Sequence, residues 1–252
     1  MPPSKPSQKA YSISLLPPPG PNQPLVLPTR TVPSPSTNPQ GFNDALAVRL
    51  EVFVDEQKCA AEFEIDDDDS RSWHWIIYDP VASVNGGGPT PLNLPVGTVR
   101  LVPPPHASHE SFVAAYAPGA PDSARDLTAD GYDLDHEPYV KFGRVAVLAG
   151  YRGWGVARRV METAMGWAEE NSGEINRAFM DVVEREGGLR TDLGTDHVWK
   201  GLALVHAQVD VEKFYARLGF VADESLGRWV EEGIEHVGMW KRLDVKGWRF
   251  GY

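Results

Sequence analysis

The amino-acid sequence predicts a mixed α/β (α+β) fold, in which a central sheet is flanked by helices. Strand-like segments, with alternating or β-branched apolar residues, alternate along the chain with segments of helical periodicity. The clearest transition is the β-branched run at residues 142–148, which is followed by a glycine turn and then by apolar residues at helical spacing over 156–168. A chain of 252 residues is also long enough to bury a sizeable core.

The same periodicities place the individual elements. Strands are expected at residues 11–15, 73–78, 96–102, 139–148 and 201–208. Helices are expected at residues 42–56, 108–116, 155–171, 174–185 and 211–218, and a closing hairpin at 230–243. Because proline lacks an N–H donor and has a fixed φ, the proline-rich residues 17–39 are predicted to form a surface loop.

The segments are spread over nearly the whole length, so we expect one domain at residues 10–245. Its predicted insertions are residues 17–39, 103–136 and 173–199, with a glycine turn at 85–89. Residues 1–9, rich in Pro, Ser and Lys, are expected to be disordered, and residues 246–252 to form a C-terminal tail.

The composition excludes several classes of protein. A net charge of −11 argues against a nucleic-acid-binding surface. The single cysteine, Cys59, excludes an internal disulfide and gives no metal-binding constellation. No apolar run approaches the roughly 20 residues of a membrane span, and residues 1–10 have no signal-peptide core. We therefore expect an intracellular, cytoplasmic monomer or homodimer, with nuclear location left open.

The glycine turn at residues 152–157 predicts a site for an anion. A helix N-terminus has unpaired N–H groups and a partial positive charge, and glycines let the backbone approach a phosphate closely. Arg152 adds a permanent cation. The spacing does not match the dinucleotide fingerprint, since Arg158 stands where a third glycine is required, and no Gly-Lys-Ser/Thr ending marks a P-loop.

The spacing that fits is Arg-x-x-Gly-x-Ala, which resembles the acetyl-coenzyme A loop of the GNAT (Gcn5-related N-acetyltransferase) superfamily. Residues 214–220 are similar to its F-Y-x-x-x-G-F helix. Residues 49–66, the run His-Ala-Gln at 206–208 and residues 232–239 resemble the ElaA-type branch. The resemblance covers roughly residues 42–242 and implies a mostly antiparallel sheet with one parallel pair near the loop.

The resemblance also implies acetyl-coenzyme A as co-substrate, with no metal. Its pantetheine arm would insert where two strands splay apart, and Tyr215 would protonate the departing thiolate. The residues implied to bind it, besides Tyr215, are Val145, Ala146, Val147, Arg152, Gly153, Trp154, Gly155, Val156 and Ala157.

The acceptor amine must lose a proton, and the sequence leaves the base open. His206 and His236 are candidates, and members of the superfamily also use a chain of waters. If extended, the spacing of Glu62, Glu64 and Asp66 would place these carboxylates on one side as a clamp for an ammonium group, and His74 is a further substrate-binding candidate. Residues 66–69 are expected to be a solvated acidic loop.

The resulting prediction is an acetyl-coenzyme A-dependent N-acetyltransferase acting on a small cationic amine or a lysine. One alternative is a non-catalytic module that binds coenzyme A and uses its proline-rich loops for partners. Another is transfer to an amino-sugar phosphate, which would need a second basic pocket.

Overall fold

The computed structural model describes residues 11–80, 93–117, 120, 131–185 and 198–246. Eight strands form one sheet in the order β1-β2-β3-β4-β5-β8-β6, and β7 also pairs with β8. The strands are β1 (Ser12–Leu16), β2 (Trp73–Asp79), β3 (Leu94–Val102), β4 (Tyr139–Val147), β5 (Leu202–Gln208), β6 (Val221–Ala222), β7 (Arg228–Glu231) and β8 (Ile234–Arg242). The pair β4–β5 is parallel and the other pairs are antiparallel, which confirms the predicted topology.

Five α-helices accompany the sheet in the described chain. They are α1 (Gln40–Arg49), α2 (His109–Ala115), α3 (Val156–Glu170), α4 (Ser172–Arg185) and α5 (Glu212–Arg217). The first helix differs from the expectation, because its second half, Leu50–Glu56, is a π-helix. One apolar stripe therefore continues over residues 42–56 although the hydrogen-bond pattern changes midway.

The alternation of side chains along the strands gives the sheet two distinct faces. On one face, the apolar side of α3 packs on β2, β3 and β4 around fully buried residues such as Trp75, Phe142 and Met161. Ala203, Val205 and Ala207 extend this core along β5. We call this side the α3 face.

The opposite face carries α1, the π-helix and α2, and we call it the acceptor face. Val48 and Val52 pack there on Ala146 of β4. Phe112 of α2 contacts His206 of β5, with ring centroids 4.5 Å apart. The predicted long insertion at residues 103–136 therefore contains, near its start, a helix that covers the sheet.

Parts of the predicted segmentation lie outside the described residues. These are the expected disorder at 1–9, the turn at 85–89, the tail beyond 246 and the central parts of the insertions at 103–136 and 173–199. The single-domain boundaries 10–245 stay a prediction.

Candidate functional site

The parallel strands β4 and β5 are paired over only part of their length. Pairing runs from Tyr139 opposite Leu202 to Phe142 opposite Val205, and no pairs follow. Beyond that point β4 stays on β3, with Val147 opposite Gly97, and β5 stays on β8, with Gln208 opposite His236. The sheet therefore opens between the second halves of β4 and β5.

A bulge in β4 lies where this opening begins. The register with β3 shifts between Thr98 and Arg100, and Arg144 has a φ of +50°, which is uncommon outside glycine. The bulge reverses which side chains face each side of the sheet. Residues 142 and 146 would share a face in a regular strand, but Phe142 lies on the α3 face and Ala146 on the acceptor face. The half of β4 that follows the bulge is therefore rotated relative to the half that pairs with β5, and this rotated half lines the opening.

The second half of β4 presents backbone polar groups to the opening. Leu148 N–H donates to Val96 O at 3.0 Å, so the polar groups of Val147 point the other way, away from β3. The Val147 carbonyl accepts from Arg152 Nε at 2.9 Å on that side. The predicted cofactor-binding residues Val145, Ala146 and Val147 thus line one side of the opening.

An anion-binding turn follows directly after β4. Gly153 (φ +79°) and Gly155 (φ +78°) both adopt left-handed backbone, and Gly155 is the N-cap of α3 without any side-chain cap. The first helical bond is from Arg159 N–H to Gly155 O, at 3.0 Å. The amides of Val156, Ala157 and Arg158 precede that bond, and the first turn contains no acidic residue. The helix end is therefore an open, positively polarised seat for a phosphate group.

Two side chains of the turn are exposed beside this seat. Arg152 is 48% exposed and pairs with Glu56 at 2.6 Å, at the end of the π-helix. An exposed ion pair of this kind contributes about 0–1 kcal/mol, so a phosphate could displace Glu56 at little cost. The indole of Trp154 is 62% exposed.

Tyr215 lies on α5, next to the open half of β5. Its side chain is 7% exposed and its ring packs between Phe214 and Phe220, with centroids 5.0 and 6.0 Å away. Burial raises the pKa of its phenol, which keeps the hydroxyl protonated at neutral pH. No hydrogen bond occupies that hydroxyl among the residues that the structure describes. It is thus a protonated donor beside the opening.

The acceptor face of the opening contains both candidate histidines. His206 follows the last β4–β5 pair, and its ring packs on Phe112 (4.5 Å) and Trp229 (4.8 Å). The Trp229 ring also stacks on His236, with centroids 6.2 Å apart. The structure therefore brings the two predicted residues together around one tryptophan of β7.

The two histidines differ in their surroundings. Burial and the charge of Lys141 hold the pKa of His206 well below its usual range, so its ring is neutral and a weak proton acceptor. His236 Nδ1 lies 2.9 Å from Ile234 O and must donate to it, which leaves the Nε2 lone pair for a proton. The lone pair on Nε2 makes His236 a candidate base.

The carboxylates expected to clamp an ammonium group have other partners. The segment is not extended, since Ala61–Phe63 is a 3-10 turn, and that expectation is wrong. Glu64 is buried and pairs with Arg49 at 3.0 Å and Arg144 at 3.3 Å. Asp66 pairs with Arg100 and with Arg144, at 3.1 Å. Their charges are compensated inside the protein, which leaves Glu62 as the exposed carboxylate of the three.

The acidic run at residues 66–69 also differs from the expected solvated loop. Asp69 is fully buried and pairs with Arg49 and Arg100 at 3.0 and 2.9 Å. Burial alone would raise the pKa of Asp66 and Asp69, but the arginines lower both, that of Asp66 well below the usual range. The acids and arginines form one buried ionic network that fixes residues 61–71 to the sheet.

His74 does not face a substrate. It is 1% exposed, its ring packs edge-on against Phe42 at 5.5 Å, and its Nε2 lies 3.4 Å from Asp69 O. Burial lowers its pKa to about 4. The predicted substrate-binding role is wrong, because α1 and the ionic network enclose the imidazole completely.

Sequence reasoning missed Lys141, which lies on the acceptor face of β4. It pairs with Leu204 of β5, one position before the strands separate, and its ammonium lies 4.8 Å from the Phe112 ring centroid. A single lysine within the otherwise apolar first half of β4 was the available signal. Within the described residues, no group of three or more His, Cys, Asp or Glu side chains could hold a metal ion.

A family model described as Acetyltransferase (GNAT) family matches residues 46–186, more than half of the chain. The chain belongs to this family. The match begins in α1 and includes the bulged strand β4, the glycine turn and α3, so GNAT membership agrees with the opening described above. The protein is thus an acyl-coenzyme A N-acyltransferase in the general sense of its family, as the sequence predicted.

Solved structures of similar fold include a candidate N-acetyltransferase from Lactobacillus plantarum (20% identity, 93% of this chain, 99% of that chain, TM-score 0.49). An acyl-CoA N-acyltransferase from Pseudomonas aeruginosa matches at 22% identity over 79% of this chain and 89% of that chain, with a TM-score of 0.43. Escherichia coli ElaA matches at 18% identity over 81% and 90%, with a TM-score of 0.42. The assignment to the ElaA-type branch stays a prediction.

None of the helices in the described ranges combines the length and the apolar character that crossing a membrane requires.

Proposed function

We propose that this GNAT protein transfers an acetyl group from acetyl-coenzyme A to a primary amine. The observation that carries the proposal is the uncapped N-terminus of α3, with Gly153 and Gly155 in left-handed backbone, at the end of the opening between β4 and β5. A pyrophosphate at the helix end would place the pantetheine arm along the backbone of Val147, whose carbonyl faces away from β3 and accepts from Arg152 Nε.

Each bond change has a residue nearby that supports it. The amine nitrogen attacks the thioester carbonyl, a C–N bond forms, and the C–S bond breaks. Tyr215 donates a proton to the departing thiolate, and a positioned acid of this kind contributes about 10²–10⁴-fold in rate. His236 Nε2 takes the proton that the amine loses, and exchange with water returns both groups to their starting state.

The acceptor is proposed to bind on the face that contains His206, His236 and α2. The earlier expectation of a clamp formed by Glu64 and Asp66 is not part of this proposal, because arginines occupy both carboxylates. A small amine is favoured over a protein chain, since α2 already covers part of this face.

The test is release of free thiol from acetyl-coenzyme A in the presence of amines of different charge and size. Amine-dependent thiol release, with the acetylated amine identified by mass spectrometry, is the expected result. Binding of coenzyme A without turnover on any amine would favour the non-catalytic alternative. Selective turnover of glucosamine-6-phosphate would favour the amino-sugar phosphate alternative.

A further inference from the structure

Four side chains meet on the acceptor face where β4 and β5 separate. The Lys141 ammonium and the His206 ring come from opposite sides of the opening, and both contact Phe112. Trp229 completes the group, with its ring centroid 4.8 Å from that of His206. We call Lys141, Phe112, His206 and Trp229 the acceptor cluster.

No carboxylate belongs to this cluster, although the more distant Asp68 and Glu231 act on the Lys141 charge. Within the part of the chain that the structure describes, no carboxylate lies within ion-pair distance of its ammonium. Its near neighbour is the face of Phe112, which offers a weak cation–π contact in place of an ion pair. Burial lowers the pKa of Lys141, because the charged form is incompletely solvated there. An anionic group would restore the missing interaction.

A second observation points independently to a ligand. Trp229 is 6% exposed and its indole N–H is buried without a hydrogen-bond acceptor in the described residues. Two other tryptophans do have acceptors: Trp199 donates to Leu202 O at 2.7 Å and Trp240 to Asp223 at 3.0 Å. A buried N–H left without a partner costs free energy, so an acceptor atom supplied by a ligand would be stabilising.

The remaining members of the acceptor cluster are rings. Phe112 and Trp229 are aromatic, and the ring of His206 is neutral because its pKa is depressed. His109 of α2 adds another ring, 4.9 Å from Trp229, and its Nε2 donates to Leu226 O at 3.0 Å. Aromatic walls of this kind favour a planar, apolar body over a polyamine chain.

Resting on the proposed function, we propose that the acceptor is an amine with an aromatic body and an anionic group, an aromatic amino acid being the simplest case. Its carboxylate would pair with Lys141 and accept from the Trp229 N–H, and its ring would pack against Phe112 and His206. The amine would then face the side of the opening where the thioester carbonyl is expected.

The experiment compares acceptors that differ in one feature at saturating acetyl-coenzyme A. Phenylalanine and phenethylamine differ by the carboxylate, and phenylalanine and alanine differ by the ring. Glucosamine-6-phosphate supplies the anion as a phosphate without an aromatic body, and spermidine supplies only cations. We expect phenylalanine to have the highest kcat/KM of the five amines.

Lys141→Met keeps the length of the stem and removes the charge. We expect it to raise KM for phenylalanine roughly 10- to 100-fold, the size of a lost hydrogen bond to a charged group, with KM for phenethylamine unchanged. Affinity for coenzyme A should not change. Lys246→Met, an exposed lysine that pairs with Glu170 far from the opening, is the matched control.

Higher kcat/KM for phenethylamine or spermidine, or an equal effect of Lys141→Met on phenylalanine and phenethylamine, would overturn the inference and leave the acetyltransferase intact. A preference for glucosamine-6-phosphate that Lys141→Met abolishes would support the anion-binding role of Lys141 and overturn the aromatic body. Absence of thiol release with all five amines, despite binding of coenzyme A, would instead overturn the proposed function.

Discussion

Gln57 and Gln208 exchange two hydrogen bonds across the opening between β4 and β5. Gln208 Nε2 donates to Gln57 Oε1 at 2.9 Å, and Gln57 Nε2 donates to Gln208 Oε1 at 3.3 Å. Gln57 ends the π-helix that packs on β4, and Gln208 ends β5. The amide pair therefore joins the two sides of the sheet on the acceptor face, at the point where no backbone bond connects them.

A double-mutant cycle should measure this link. We expect Gln57→Ala and Gln208→Ala each to lower the free energy of unfolding by about 0.5–1.5 kcal/mol, and the double variant to lose less than the sum. The measurement is urea unfolding of all four proteins. Additive losses would mean that the two amides do not act as a pair.

Because Gly155 lies at the open N-terminus of α3, we expect Gly155→Asp to lose cofactor binding selectively. A Cβ at Gly155 meets no atom within 4 Å, and Asp tolerates left-handed backbone better than most residues. The new carboxylate would lie against the pyrophosphate, where repulsion of like charges costs about 1–4 kcal/mol. We expect the thermal stabilisation by coenzyme A to disappear while the unliganded protein stays folded.

The control is Gly150→Asp, which introduces the same carboxylate before the turn, again into open space. It should retain most of the stabilisation by coenzyme A. Wild-type protein should respond to coenzyme A and not to NAD or ATP. An equal shift with NAD would contradict the assignment of the turn.

Local patterns were enough to predict the strands and the glycine turn, whereas the parallel pair was implied by the resemblance to the GNAT superfamily. Apolar alternation identifies β4 and β5, and the spacing of Arg152, Gly153 and Gly155 identifies the predicted anion-binding turn. Both features depend only on residues that are neighbours in sequence. The π-helix at Leu50–Glu56 was not predictable in this way, since its apolar stripe is compatible with an α-helix.

The acidic segment shows why the rest of the site could not be predicted. Glu64 and Asp69 become buried only because Arg49, Arg100 and Arg144 arrive from three other elements. These pairs join residues 15 to 80 positions apart in sequence, and no local pattern reports them. Lys141 was overlooked for the same reason, since its importance depends on α2 and β5.

Tyr215→Phe should separate chemistry from binding. The substitution keeps the ring between Phe214 and Phe220 and removes the hydroxyl. We expect kcat to fall roughly 10- to 1000-fold with little change in affinity for coenzyme A. Tyr78 lies on the distant strand β2, and its hydroxyl donates to Asp44 of α1; Tyr78→Phe removes that hydroxyl and should leave kcat unchanged. An unaltered kcat of Tyr215→Phe in a chemistry-limited assay would exclude the acid role.

The ionic network should make Arg49 one of the most sensitive charged positions for stability. Arg49 is fully buried and forms ion pairs with Glu64 and Asp69. Arg49→Met therefore leaves the charges of two buried carboxylates less well compensated. We expect a loss of about 3–5 kcal/mol in the free energy of unfolding. Arg158→Met breaks the exposed pair with Glu162 and should change it by less than about 0.5 kcal/mol. Similar effects of both variants in urea unfolding would contradict the network.

The stability of the protein should also depend on pH through its buried histidines. Burial holds the pKa of His74 at about 4 and those of His106 and His206 well below the usual range, whereas unfolded histidine has a pKa of about 6.5. Between these values the unfolded chain binds more protons than the folded protein. The free energy of unfolding therefore rises with pH across this window. It falls when the pH is lowered, because the buried histidines are then forced to ionise.

His74→Phe removes one of these groups and keeps a ring against Phe42. Each buried histidine contributes at most about 1.4 kcal/mol per pH unit, so the slope between pH 4.5 and pH 6 should decrease by up to that amount. Ile76→Val, a fully buried and non-titrating change on the same strand, should lower stability at every pH without altering the slope. Urea unfolding at a series of pH values measures both variants. A slope for His74→Phe equal to that of Ile76→Val would show that His74 does not titrate between the folded and unfolded states in this range.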